Sequence, residues 1–294
     1  MKLFYFKSLL CDNFGDDLNP WLWDKLLPDV LDKDDSSRFV AIGTLINDTL
    51  RSHLPQPIKI AVFGTGVGNG KIPFGNLPSD DLLKIYCLRG PLSAKVLGVD
   101  SNLAITDGAL LVRRFFDVGN FQKVYKFSFM PHVSQARRAG QTWKKICQNL
   151  GFGYIDPTTS VEQVLSLIAQ TETLITEAMH GAIIADALRV PWIPVVANSE
   201  IFGFKWLDWC FSVGIKYQPE ALTDLAIDPY NLKIIRDYDW NRKQKALERL
   251  VEIAEVAAPN LSDASKIESL TIRLEEKLQQ FRKDVQRGYF EKTI

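Results

Sequence analysis

Short β-rich runs alternate with helix-like stretches along much of this chain, and that alternation restricts its fold more than any other feature. Ile58-Lys59-Ile60-Ala61-Val62-Phe63 leads into a glycine loop, Leu82-Leu83-Lys84-Ile85-Tyr86-Cys87-Leu88 forms a second apolar run, and Pro91-Leu92-Ser93-Ala94-Lys95-Val96-Leu97 has a helical pattern. Such alternation predicts parallel βαβ units. The polar, glycine-containing sequence around Asp117, Gly119 and Asn120 marks a lobe boundary, so residues 1–117 are expected to form a first lobe.

A second α/β unit, expected over 118–228, opens with Lys123-Val124-Tyr125-Lys126-Phe127-Ser128-Phe129-Met130. Val161, Val164, Leu165 and Ile168 have helical spacing, Thr173 to Thr176 reads as a strand, Ala182 to Leu188 as a helix, and Pro191 to Val196 as a buried strand. From about Pro229 the β signals vanish. Charged helical sequence over 229–294 carries one apolar stripe, Leu270, Leu274, Leu278, Phe281 and Val285. These helices are expected to pack on the lobes, with a coiled-coil contact as the rival reading of the stripe.

Lys plus Arg and Asp plus Glu both number 35, so no bulk field draws the chain to nucleic acid or an anionic membrane. Any anion site must be local. Cys11, Cys87, Cys147 and Cys210 form no CxxC pair, and reduced thiols in the cytoplasm are the expectation. Met1 to Lys7 reads as one short strand, without the long apolar core of a signal peptide, and no stretch approaches the roughly 20 apolar residues of a membrane span. A membrane-bound product would be met from outside the bilayer, by peripheral contact.

Four segments hold the candidate chemistry. Asp12-Asn13-Phe14-Gly15-Asp16-Asp17-Leu18-Asn19-Pro20 follows the first strand and opens a helix, where it could cap that helix or face a ligand. Gly64-Thr65-Gly66-Val67-Gly68-Asn69-Gly70 follows a strand but misses the GxGxxG spacing, and Lys71-Ile72-Pro73 stands where a helix should start; NAD binding is not expected. Arg89 ends an apolar strand and is expected to face a cleft and bind carboxylate or phosphate, with a structural salt bridge as the alternative. His180, one of three histidines with His53 and His132, sits at a strand-to-helix turn between Glu177 and a glycine, placed for proton transfer, with a structural role as the alternative.

Taken in order, Asn13-Phe14-Gly15-Asp16, Gly64-Thr65-Gly66, Arg89-Gly90-Pro91-Leu92-Ser93, Asp107-Gly108-Ala109, Pro131-His132 and Met179-His180-Gly181-Ala182 resemble the polysaccharide pyruvyl transferase family, over roughly residues 1 to 215. The resemblance implies an α/β fold of two Rossmann-like lobes, similar to GT-B glycosyltransferases, with C-terminal helices. It also implies transfer of a pyruvyl group from phosphoenolpyruvate to a sugar of an exopolysaccharide or cell-surface glycan precursor, giving a pyruvate ketal. The partners implied are that small donor and a glycan or lipid-linked oligosaccharide acceptor. No separate cofactor is expected, and the spacing of a metal site is missing.

The expected catalytic set is His180 as general acid, Arg89 as anion holder, and Glu177 or Asp16 as proton acceptor. The expected donor- and acceptor-binding set is Asn13, Asp16, Asp17, Asn19, Gly64, Thr65, Gly66, Asp107, His132, Met179 and Gly181. Many family members carry an arginine two positions before the motif histidine, where this chain has Ala178; either another cation such as Lys126, Arg137 or Arg138 replaces it, or the donor is held differently. Two other readings stay open: a nucleotide-sugar glycosyltransferase of the same architecture, and a non-catalytic sugar-binding subunit.

Overall fold

The computed structural model describes residues 1–7, 10–47, 50, 58–68, 82–197, 203–226 and 235–291, with 235–239 as backbone alone. His53, Asn69 to Pro73 and the expected boundary at 228 and 229 lie outside the described residues.

Among the described residues, two sheets of parallel strands form the frame. The first has the order β1 (Lys2–Phe4), β2 (Ser37–Val40), β3 (Lys59–Phe63), β4 (Leu83–Cys87). The second has the order β6 (Gly153–Tyr154), β5 (Tyr125–Met130), β7 (Thr171–Thr176), β8 (Trp192–Val196), β9 (Glu220–Ala221). Helices α3 (Val133–Leu150), α4 (Val161–Ala169), α5 (Met179–Ala187) and α6 (Gly203–Val213) connect or follow its strands. The alternation thus produces an α/β fold of two Rossmann-like lobes. In the second sheet the chain steps from β5 out to β6 and then back past β5 to β7, so strand order reverses between β5 and β7. The crevice at the carboxyl ends of such a pair is where open α/β sheets bind ligands.

Local chemistry sets the helix ends. In α1 (Phe14–Leu26) the extended Asn13 precedes the first turn, whose Asp16 and Asp17 suit the positive end of the helix dipole. Pro20 lies inside this helix and cannot donate to the Asp16 carbonyl four residues back; Asn19 Nδ2 donates to that carbonyl instead, at 3.1 Å. Helix α2 (Pro91–Leu97) has proline at its first position and closes on Gly98 at φ 66°, while His132 caps α3.

One of the apolar clusters runs through both lobes. Phe14, Leu18, Leu22 and Trp23 of α1 pack in the same cluster as Val164 and Leu165 of α4 and Ile183 and Ile184 of α5. Helix α7 (Ile235–Val256) buries Ala246, Leu250 and Ile253 against Phe129, Ile175 and Ile193 of the second sheet. The stripe on α8 (Ala264–Gln286) packs on the first sheet, where Phe281 lies 4.9 Å from Phe39 and 5.3 Å from Tyr86 between ring centroids. Its apolar face is therefore used within the chain and not in a coiled coil. None of the four cysteines is paired. Among the described residues, no helix is long and apolar enough to cross a membrane.

Candidate functional site

The carboxyl ends of both sheets converge on a cavity of about 250 Å³. The first lobe lines it with Asn13, Phe14, Gly15 and Asp16 from the start of α1, and with Gly43, Thr44, Leu45 and Asn47 from the loop after β2. The second lobe contributes Met130 and His132 after β5, Ala178, Met179 and His180 after β7, and Lys205 in the first turn of α6. The cavity therefore opens at the strand-order reversal between β5 and β7.

His180 is the second residue of α5, with its side chain 15% exposed. Its Nδ1 lies so close to the backbone of Gly15 that a Cβ there would stand 2.2 Å away, so only glycine lets α1 approach the ring. Among the described residues its Nε2 has no hydrogen-bond partner; it lies 3.8 Å from Asp107 Oδ2, which is likewise buried and unpartnered there. The other oxygen, Asp107 Oδ1, accepts from Ala109 N and caps a 3-10 helix over Gly108–Arg114. Asp107 thus stands behind the imidazole, away from the cavity, and can orient the ring through Nε2–H.

Asp16 accepts from Asn13 Nδ2 at 2.6 Å, and burial raises its carboxyl pKa. His132 shares a hydrogen bond of 2.9 Å with Ser134 Oγ through Nδ1, and burial, helped by the charge of Lys205, lowers its pKa to about 4. It is neutral at pH 7. Burial lowers Lys205 to about 8, with Arg89 reinforcing the shift while Asp16 and Glu177 oppose it.

Several residues expected at the site serve elsewhere. Arg89 does not face the cleft: its side chain is fully buried, paired with Asp208 at 3.3 Å, and donates from Nη1 to Gly43 O and Thr44 Oγ1. Its guanidinium lies against Gly66, where a Cβ would stand 2.2 Å from Nη2. The salt-bridge reading of Arg89 describes this placement. Glu177 is buried as well, and its two oxygens accept from His132 N at 3.0 Å and Ala197 N at 2.8 Å, so it braces the loops after β5 and β8. A carboxylate so engaged is poorly placed to take a substrate proton.

The remaining displaced residues are scaffold. Asp17 accepts from the backbone of Asn13, and Asn19 bridges α1 to Ile42 through two hydrogen bonds. Gly64, at φ 74°, lets its loop touch Gly108 N, and the buried Thr65 hydroxyl donates to Gly43 O while accepting from Leu45 N. The glycine loop therefore shapes the cavity wall from behind without lining it. Gly181 packs against Met130 and Thr176. Asn13, Asp16, His132, Met179 and His180 come together in the cavity.

Sequence reasoning missed Lys205 and the Gly43–Asn47 loop. The expected substitutes for a cation at Ala178 do not reach the cavity, because Lys126, Arg137 and Arg138 are all exposed on β5 and α3, away from its lining. Among the described residues, no group of three or more His, Cys, Asp or Glu could hold a metal ion.

The family model described as polysaccharide pyruvyl transferase matches residues 3–200. The succinoglycan biosynthesis protein ExoV of Rhizobium meliloti (strain 1021) is 40% identical over 222 residues, which cover 76% of this chain and 68% of that protein. Among solved structures, the UDP-GlcNAc 2-epimerase of Methanocaldococcus jannaschii, in complex with UDP-GlcNAc and UDP, aligns over 90% of this chain and 80% of its own, with a TM-score of 0.42 and 12% identity.

Proposed function

Since this chain belongs to the polysaccharide pyruvyl transferase family, we propose that it moves the pyruvyl group of phosphoenolpyruvate onto two hydroxyls of a sugar in an exopolysaccharide precursor. The observation that carries this reading is the placement of His180 and Asp16, from opposite lobes, on one small cavity at the strand-order reversal.

The reaction needs an acid for the methylene carbon of the donor and an acceptor for hydroxyl protons. His180 delivers a proton to the methylene, making the methyl group and leaving an electron-poor carbon that one sugar hydroxyl attacks. The bond to phosphate oxygen then breaks, and a second hydroxyl closes the ketal. Two protons leave the hydroxyls and one enters the methyl group, so one proton departs with inorganic phosphate. Asp16 takes the role of proton acceptor in this scheme, because it lines the cavity and its burial-raised pKa makes it a stronger base than an ordinary aspartate. No covalent bond to the protein forms.

Phosphate release from phosphoenolpyruvate in the presence of oligosaccharide acceptors tests the proposal. Release should fall by about 100-fold or more in His180→Ala. Unchanged release in that variant would remove His180 from the mechanism. Binding of a UDP-sugar with no phosphate release from phosphoenolpyruvate would favour the glycosyltransferase reading instead.

A further inference from the structure

Lys205 is the one lysine or arginine among the described residues that line the cavity. Among the described residues its ammonium makes no hydrogen bond, and no carboxylate oxygen comes within 4.0 Å of it. A cation partly withdrawn from water is costly unless something compensates it. Arg89, by contrast, has its charge answered by Asp208. Asn13, Asp16, His132 and His180 share the cavity with Lys205. Asp16 already takes the Asn13 amide, and His132 already engages Ser134.

We propose that Lys205 is the anion-holding residue for the donor, taking its carboxylate or phosphate and supplying the positive charge that Ala178 cannot. The assignment rests on the transferase reading above and adds to it a group that fixes donor orientation in the cavity that His180 also lines. Lys205 approaches from α6, whose Asp208 also accepts from Ser93 N at 3.0 Å and so ties that helix to α2 of the first lobe. The ammonium is therefore delivered by an element anchored across the cleft. Burial, reinforced by the charge of Arg89 and opposed by Asp16 and Glu177, leaves it with a pKa of about 8, and His132, which shares the cavity, is neutral at that pH, so donor affinity should fall as pH rises through that value.

Calorimetric titration of the full chain with phosphoenolpyruvate, repeated for Lys205→Met, Lys205→Arg and His180→Ala, tests the assignment. Lys205→Met should weaken donor binding by about 30-fold or more, as expected for loss of a charge-assisted contact. It should raise KM for phosphoenolpyruvate while leaving KM for the acceptor unchanged, and Lys205→Arg should recover most of the loss. His180→Ala should still bind the donor. A urea midpoint for Lys205→Met at or above that of the unaltered chain would show that folding is intact. If Lys205→Met bound phosphoenolpyruvate as well as the unaltered chain, the Lys205 assignment would fall and the transferase reading would stand. If the unaltered chain neither bound phosphoenolpyruvate nor released phosphate from it, both would fall.

Discussion

Asp107 Oδ2 and His180 Nε2 face each other at 3.8 Å, and neither atom has a hydrogen-bond partner among the described residues. The two residues come from different lobes, Asp107 from the turn before a 3-10 helix and His180 from the first turn of α5. Their separation exceeds a hydrogen bond, but a small shift of α5 would close it. Such contacts commonly tighten only when substrate is bound.

Asp107→Asn keeps the shape and an oxygen that can still accept from Ala109 N, but offers the ring no carboxylate. The expected result is a drop in kcat of roughly 10-fold to 100-fold, comparable to loss of an orienting partner. KM for the donor and the melting temperature should change little. A kcat equal to that of the unaltered chain would show that Asp107 does not orient His180.

Arg89→Met should act on stability. It leaves Asp208 as a buried carboxylate without its cation, a change worth about 3–5 kcal/mol in comparable buried pairs. Because Asp208 also accepts from Ser93 N and Oγ, the double variant with Asp208→Asn should lose less than the sum of the single losses. Urea unfolding of the three variants measures this coupling. Additive losses would mean that the pair contributes no joint stability.

His132 makes stability depend on pH in a definite direction. Its folded pKa of about 4 lies below its ordinary 6.5, so the unfolded chain binds a proton first. The stabilisation is fully present above pH 6.5 and is lost as pH falls from there through 4, a change of up to about 3 kcal/mol. His132→Asn keeps a side-chain acceptor for the first turn of α3 and removes the titration. Unfolding free energy should therefore vary less between pH 6.5 and 4 in that variant, and an identical slope would contradict the burial argument.

Much of the frame was readable from local pattern. Pro91 to Leu97 is α2 to the residue, and Val161, Val164, Leu165 and Ile168 are all buried in α4. The α8 stripe also packs as its periodicity suggested. These elements are specified by side-chain period and by proline and glycine at their ends, which neighbouring residues carry. Harder to read were β2 and β6, short strands in mixed sequence whose pairing depends on distant partners.

The site divides along the same line. Residues beside a strand's carboxyl end and a helix start, such as Asn13, Asp16, His132 and His180, carried a local signature and meet in the cavity. Arg89 had the same signature, yet Asp208, 119 residues later in the chain, drew it inside. Glu177 was likewise taken up by two backbone amides. Lys205 had no signature at all, being one lysine in a mainly apolar helix.

The sequence by itself determined the α/β alternation, the helix ends and the place of His180 at a helix start, because these follow from the spacing and chemistry of near neighbours. Only the tertiary structure decided which charges face the cavity. That depends on whether an opposite charge or a donor from remote sequence reaches each group first, and a buried ion compensated inside the protein is no longer available to a ligand.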